Sequence, residues 1–299
     1  MQWGQIKSLL ILSFLILDIY LLVQFLDKKE DADLAILEEE SSTIEEQLSA
    51  ENIVIEELPE QVDEETYISV KQRLFTEEEL EAYDENVPQE AFIFDQYYIA
   101  SQLDEPIPMD KDASEDDIKK TFDQIAFYPE EYKYWNWNEE LNVMVFFQKK
   151  IERPVYYNQN GVVLLFLNED NEVTFYLQTM LGETESLAEK RTLIEPMRAI
   201  EILYMANELY TDDHITNVNI GFHTRVPFEG DVQVFVPIWK VNVNEEEDFF
   251  VNAIEGFTFS TDEGEFLEDV IDTGIYKLQV QRSEDDPIDD ILNELREMR

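Results

Sequence analysis

The chain has no cysteine, only two histidines and eight glycines among its 299 residues, and 21 basic residues against 69 acidic ones. The lack of cysteine excludes disulfide bridges, thiol nucleophiles and lipid attachment to a cysteine. His214 and His223 lie nine residues apart, which does not match metal-ligand spacing on a helix. The sequence also contains no glycine-rich phosphate loop, G-x-S-x-G elbow or calcium-loop motif. We therefore expect no metal, no cofactor and no catalytic residues.

The acidic composition limits the partners that the chain can bind. A formal net charge of −48 repels phosphate groups, so we expect no nucleic-acid binding. A hydrophobic fraction of 44% with 12% aromatics is nevertheless typical of a folded protein. A glycoside hydrolase needs only two carboxylates in a cleft, and the aromatic run YPEEYKYWNWNEE at 128–140 could stack on sugars. Aromatic residues beside strands more often pack in a core or at a sheet edge, so a hydrolase stays the less favoured alternative.

Residues 9–26 form a long apolar run that is interrupted only by Ser13, Asp18 and Gln24. At about 1.5 Å per residue a helix over this run reaches roughly 27 Å, just enough to cross a bilayer. The run ends in QFLDKKED and not in a small-x-small cleavage site. The sequence therefore predicts an uncleaved transmembrane signal anchor over residues 9–26.

The charges beside this run bear on its orientation. Lys7 precedes the run, whereas Lys28 and Lys29 follow it. The positive-inside rule taken alone would therefore place the segment after the run in the cytoplasm. Long downstream domains, however, translocate largely regardless of flanking charge. We expect a single-pass protein of the cell membrane, with residues 1–8 in the cytoplasm and the main domain outside it.

One face of the predicted span carries a carboxylate. Ile11, Phe14, Asp18, Leu21 and Phe25 follow spacings of three, four, three and four, which is typical of a seam that packs against another helix. An aspartate at the centre of a membrane costs about 2.5–3.5 kcal/mol, and the apolar residues of the span outweigh this cost. Because an intramembrane carboxylate normally finds a donor on a neighbouring helix, we interpret these five residues as a partner-binding seam. The alternative is a tolerated polar residue.

The remaining chain shows an α+β order of strands, single helices and hairpins, without the regular alternation of a parallel α/β sheet. We expect an acidic stalk over 27–60, a first α+β subdomain over 61–138, a second over 139–282, and an acidic amphipathic tail over 283–299. Capping signals at Thr76–Glu79 and Ser114 predict helix starts. A helix is also predicted within 185–209, with its regular part beginning at Pro196. Strand patterns are 53–58, 65–75, 91–101, 141–151, 162–167, 172–181, 214–226, 231–243, 248–257 and 274–282.

Two apolar patterns predict specific packing. The segment VPIWKVNVNEEEDFFVNAIEG should form a hairpin with Trp239 on its buried face, near Phe250 or Val251. In the tail, apolar residues recur at helical spacing, which favours docking on the chain's own domain over binding to a partner. These tail residues are Ile288, Ile291, Leu292, Leu295 and Met298.

Four segments resemble the YycI family, the membrane-anchored auxiliary proteins of the WalK–WalR (YycG–YycF) two-component system. The first is the N-terminal pattern of Trp3, Ile6-Lys7, residues 14–18 and Leu21-Leu22. The others are NEVTFYLQTML, RAIEILYMANEL and FVPIWKVNVNEEEDFFVNAIEG, which are similar to the family's Y-x-Q strand, A-I-x-x-L-Y helix and V-P-x-W hairpin.

The resemblance implies a fold and a role. The fold would be α+β, with one N-terminal transmembrane helix followed by an extracytoplasmic domain of mainly antiparallel sheets and a few helices, similar to part of YycH. The role would be non-enzymatic: the chain would act with YycH on the WalK histidine kinase, including the kinase's transmembrane region, in signalling that controls cell-wall metabolism. A sensor domain that binds wall polymers is the second alternative from the residues alone.

Overall fold

The computed structural model describes residues 14, 17, 20, 22, 43–59, 62, 64–82, 88–187, 189–227, 232–281, 291 and 295. These residues divide into two units. The first comprises Met1–Val54 with Tyr210–Asp213, and the second comprises Ile55–Leu209 with His214–Arg299.

Helices and strands alternate irregularly in the described part of the chain. The α-helices are α1 (Ile44–Ala50), α2 (Glu77–Ala82), α3 (Glu115–Ile125), α4 (Pro196–Met205) and α5 (Glu263–Gln281), and a 3-10 turn spans Pro129–Glu131. The strands are β1 (Val54–Ile55), β2 (Glu64–Glu65), β3 (Ile68–Gln72), β4 (Gln89–Phe94), β5 (Tyr98–Pro108), β6 (Tyr132–Asn138), β7 (Val143–Lys150), β8 (Arg153–Tyr156), β9 (Val162–Leu167), β10 (Glu172–Thr179), β11 (Leu181–Ser186), β12 (Arg191–Thr192), β13 (His214–Pro227), β14 (Val232–Val243), β15 (Glu247–Asn252) and β16 (Thr258–Phe259).

In the first unit, α1 lies within the predicted acidic stalk. Thr43 caps it, because Glu46 N–H donates to Thr43 Oγ1 at 3.3 Å and Thr43 N–H donates to Glu46 Oε2 at 3.3 Å. Phe14, Leu17, Tyr20 and Leu22 are helical and exposed. Most of the predicted span 9–26 lies outside the described residues, and no helix among those described is long and apolar enough to cross a membrane.

The second unit is organised by one large sheet. Its strands follow the order β11-β3-β14-β13-β8-β7-β9-β10-β5-β4, with β6 added beside β7, β15 beside β14 and β16 beside β15. β2 and β12 form a separate two-stranded ladder. Among the strand pairs just named, all are antiparallel except β8 and β13, which pair in parallel where Val155 and Tyr156 face Phe222 and His223. The α+β class with mainly antiparallel strands is therefore confirmed.

The sheet buries apolar residues on both faces around β9. All six residues of β9 are buried, and alternate positions belong to two different core clusters. This explains the continuous apolar sequence VVLLFL, because a strand covered on both sides needs no polar face. Helix α3 covers one face, with Phe122 stacked on Phe146 at a centroid distance of 3.8 Å. Helix α5 covers the other face through Leu267, Ile271 and Leu278.

Several predicted elements are confirmed. Thr76 and Glu79 form the expected capping box at α2, and Ser114 caps α3. Helix α4 begins at Pro196. Trp239 is fully buried in the β14–β15 hairpin, where its backbone partner is Val251.

Two predicted elements are wrong, and a third is shorter than the full predicted segment. The run 91–101 is two strands, because Asp95 and Gln96 adopt φ values of 49° and 61° and form a tight turn without glycine. Residues 181–186 and 191–192 are strands β11 and β12, so the predicted helix within 185–209 is confined to α4. Residues 274–281 belong to α5 and not to a strand, because the buried residues follow helical spacing and Gly274 lets the helix approach Leu177.

Two residues of the predicted tail helix are described. Ile291 and Leu295 are both helical and fully buried, and they belong to the same core cluster as Leu267 and Leu278 of α5. Their spacing of four residues places them on one helix face. These two positions dock on the chain's own domain, as expected. The other three predicted positions, Ile288, Leu292 and Met298, lie outside the described residues.

Candidate functional site

A polar cleft of about 280 Å³ lies between strand β6 and the face of the β13–β14 pair, and we call it the β6 cleft. The aromatic sequence of β6 contributes Lys133, Tyr134 and Trp135. β8 contributes Tyr156, and Glu115 stands at the first residue of α3. The run of aromatics noted in the sequence is therefore a strand beside a cleft.

The β13–β14 pair presents a ladder of polar side chains to the cleft. Asn217 faces Asn242 across the two strands, and Asn219 faces Lys240 two residues further on. Successive side chains of a strand point to opposite faces, so these four residues share one face. Asn219 Nδ2 donates to Asn217 Oδ1. Asn242 is held more firmly, because it accepts from Thr216 Oγ1 at 2.5 Å and donates to Asp248 at 2.9 Å.

Lys240 closes one side of the cleft. Its Nζ lies 2.9 Å from Asp248 Oδ1 and 4.1 Å from the centroid of the Trp135 ring. Burial lowers the pKa of the Lys240 ammonium, and the Asp248 carboxylate opposes this effect. The charges of Lys240 and Asp248 therefore compensate each other. The Lys240 ammonium also covers one face of the Trp135 ring.

Glu263 fixes the strand that carries the aromatic residues. This first residue of α5 accepts hydrogen bonds from Trp135 Nε1 at 2.8 Å, Asn136 Nδ2 at 2.8 Å and Asn138 Nδ2 at 3.0 Å. Three side chains of β6 thus converge on one carboxylate, which joins β6 to the start of α5. The geometry of the cleft depends on this connection.

Two tyrosines complete the walls of the β6 cleft. Burial raises the pKa of Tyr134 to about 12, and its protonated hydroxyl can donate a hydrogen bond, as tyrosine hydroxyls do at neutral pH. Tyr156 packs directly against Gly221 of β13, where a Cβ atom would overlap its ring. Because residue 221 is a glycine, the Tyr156 ring can pack directly on β13 and form the floor of the cleft.

A second recessed region surrounds Lys150. Two adjoining clefts, of about 510 and 460 Å³, share Glu131, Lys150 and Glu183. Lys150 Nζ donates to Leu181 O at 3.0 Å and lies 3.8 Å from Glu131. Arg73 in the same region is paired with Glu79 at 2.7 Å. Because the cations already have acidic or carbonyl partners, this region is not suited to binding an anion.

Most of the predicted seam lies outside the described residues. This applies to Ile11, Asp18, Leu21 and Phe25, whereas Phe14 is helical and 58% exposed. The described residues therefore do not test the predicted seam.

The two histidines lie on strand β13, at its first residue and nine residues further along. His214 Nε2 is 3.3 Å from Glu56. The His223 ring packs beside Phe259, and burial lowers its pKa. Within the described part of the chain, no three His, Cys, Asp or Glu side chains are grouped so that they could hold a metal ion.

Sequence reasoning noted the aromatic run of β6 but missed the polar residues of β13 and β14 that face it across the cleft. A weak signal existed in the alternating patterns N-V-N at 217–219 and K-V-N at 240–242, each of which places two polar side chains on one strand face. No spacing rule connects Glu263 to Trp135, because more than a hundred residues separate them.

Comparison with known proteins places the chain in a family. A sequence model of the family described as "YycI protein" matches residues 32–254, which is more than half of the chain. None of the curated proteins matches the sequence significantly. An uncharacterized protein from Eubacterium rectale has a solved structure that matches with 9% identity over 70% of this chain and 89% of that chain, at a TM-score of 0.41. On the family match, the chain belongs to the YycI family, a family of membrane-associated regulatory auxiliary proteins of the YycFG two-component system.

Proposed function

We propose that the chain is a non-enzymatic regulator that associates with YycH and the WalK kinase through an N-terminal transmembrane helix and its outer domain. This association would modulate the signalling that controls cell-wall metabolism. The N-terminus would be cytoplasmic and the main domain extracytoplasmic. Family membership supports the regulatory role, and the long apolar run 9–26 supports the single span.

The observation that carries the proposal is the carboxylate of Asp18 at the middle of this apolar run. A span with enough leucine, isoleucine and phenylalanine inserts despite one central aspartate. The buried carboxylate then gains most from a hydrogen-bond donor on a neighbouring helix. We therefore propose that Asp18 hydrogen-bonds a polar residue in the span of YycH or WalK.

The exposed apolar side chains nearby support the same view. Phe14, Leu17, Tyr20 and Leu22 are helical and between 48% and 58% exposed. Apolar surface of this kind is normally covered by lipid or by another helix. A span that packs against the spans of partner proteins would cover it.

The replacement Asp18→Leu tests this role. We expect the full-length variant to insert and fold normally, because leucine favours insertion and the outer domain is unchanged. Loss of one interhelical hydrogen bond, about 0.6–2 kcal/mol, should weaken co-purification with YycH and WalK roughly threefold to thirtyfold and shift kinase output. The measurement is quantitative co-purification from membranes, together with WalK autophosphorylation.

Ser13→Leu is the matched control, because it removes another polar residue of the run that lies away from the seam. The control should co-purify like the native chain. If Asp18→Leu leaves both co-purification and kinase activity unchanged, Asp18 has no role in the complex. If both variants lose binding equally, the effect comes from overall hydrophobicity and not from the seam.

A further inference from the structure

We propose that the β6 cleft is a binding site for a short, uncharged carbohydrate. This inference does not depend on the proposed association with YycH and WalK, because it concerns a cleft within the second unit of the chain alone. It rests on the side chains that line the cleft, on their charge balance and on the shape of strand β6.

The first argument is the set of polar groups that remain available in the cleft. The bond from Asn219 to Asn217 uses one donor and one acceptor, so each amide keeps its other polar atom. Neither of these two atoms, nor the Tyr134 hydroxyl or Lys133 Nζ, has a hydrogen-bond partner among the residues that the structure describes. Amides and hydroxyls that can both donate and accept match the hydroxyl groups of a sugar ring.

The second argument is charge. Lys240 is compensated by Asp248 at 2.9 Å, and Lys133 and Glu115, which also line the cleft, carry opposite charges. An anionic ligand would gain little from this balanced set and would be repelled by a chain of net charge −48. A cation would find no cluster of unpaired carboxylates in the cleft. An uncharged ligand therefore fits best.

The third argument separates a sugar from a peptide. An extended peptide could pair with a regular free strand edge. Strand β6, however, has a register irregularity between Tyr134 and Asn136 in its pairing with β7, so its backbone groups are not evenly spaced. This irregularity disfavours the addition of another strand.

The size of the cleft agrees with a small glycan. Its volume of about 280 Å³ is near the lower end of small-ligand pockets, so it suits one or two sugar rings and not a long polymer. The rings of Phe147 and Tyr156 form the floor beneath the cleft and are only 1% and 3% exposed, so a sugar would be recognised through the polar groups of the walls.

Isothermal titration calorimetry of the purified full-length chain tests the proposal. The probes are the tetramers of β-1,4-linked N-acetylglucosamine and β-1,4-linked glucose. We expect the native chain to bind at least one of them at millimolar or tighter affinity. Replacing both Asn217 and Asn219 by alanine should weaken binding about tenfold or more, which corresponds to about 1.4 kcal/mol. Gln124→Ala, an exposed amide of α3 that does not line the cleft, should bind like the native chain.

Tyr134→Phe keeps the aromatic ring and removes only the hydroxyl, so it tests the site even if the double variant does not fold. It should weaken binding severalfold. The proposal is overturned if neither tetramer binds at 10 mM, or if both the double variant and Tyr134→Phe bind like the native chain. Binding of an unrelated extended peptide that is lost in the same variants would assign the cleft to peptides and would also overturn it.

Discussion

Replacing Trp239 by alanine should lower the free energy of unfolding of the domain by about 3–5 kcal/mol. The Trp239 side chain is 0% exposed, and it lies on the inner face of the β14–β15 hairpin opposite Val251. Its Nε1 donates to Ile194 O at 2.9 Å, so the truncation removes a buried hydrogen bond as well as a large apolar volume. Ile194 lies just before α4, so the Trp239 side chain also connects the start of this helix to the sheet. Urea unfolding followed by circular dichroism measures the change.

Trp137→Ala is the matched control for this substitution. Trp137 lies on β6, is only partly buried, and donates to Asn142 Oδ1 at 3.0 Å. Its replacement should destabilise the domain less than that of Trp239, because less apolar surface is lost. An unchanged unfolding midpoint for Trp239→Ala, combined with lost binding to YycH, would instead identify Trp239 as a partner contact.

Replacing Glu263 by alanine should lower the free energy of unfolding by about 2–4 kcal/mol. The variant leaves the donors of Trp135, Asn136 and Asn138 without their common acceptor. Hydrogen bonds to a charged group contribute about 1.5–3 kcal/mol each, and water can replace part of this loss because the site is only partly buried. The loss should be concentrated at β6 and at the start of α5, where hydrogen exchange should become faster.

Glu265→Ala provides the comparison, since Glu265 occupies the same first turn of α5 but is exposed. Removing it should cost only a few tenths of a kcal/mol through the helix dipole. Equal destabilisation by both variants would show that charge at the helix start, and not the bonds to β6, explains the effect.

Local signals in the sequence predicted much of the fold. The capping box of Thr76 and Glu79, the cap at Ser114 and the proline that begins α4 each act within one helical turn, so they can be interpreted without tertiary information. The strand patterns 162–167 and 172–181 correspond to β9 and β10, which the polar residues 168–171 separate. The buried position of Trp239 followed from alternation along its strand.

The failures have a common physical cause. Residues 274–281 alternate between apolar and polar types, yet packing of Leu278 and Ile275 against the sheet selects a helix. The turn at Asp95 and Gln96 contains neither glycine nor asparagine, so a single aspartate was the only turn signal between β4 and β5. In both places tertiary contacts outweighed the local pattern.

The candidate site was harder to predict than the fold. Asn217 and Asn219 lie far along the chain from Trp135, and only the sheet brings them to one cleft. The predicted seam differs from the cleft, because its pattern is visible in the sequence. The spacing of Phe14, Asp18 and Leu21 defines a contact surface only if a partner helix packs against it. That seam remains a prediction.

Cysteine cross-linking in membranes tests the central claim most directly, namely that the N-terminal helix packs against partner spans along this seam. The native chain has no cysteine, so each substitution introduces a unique thiol. Single cysteines at Phe14 or Leu21, combined with single cysteines along the spans of YycH and WalK, should form disulfides on mild oxidation. Cysteines at Ile16 or Val23, on the opposite helix face, should not. Equal cross-linking from both faces, or none from the seam at any partner position, would contradict the proposed association.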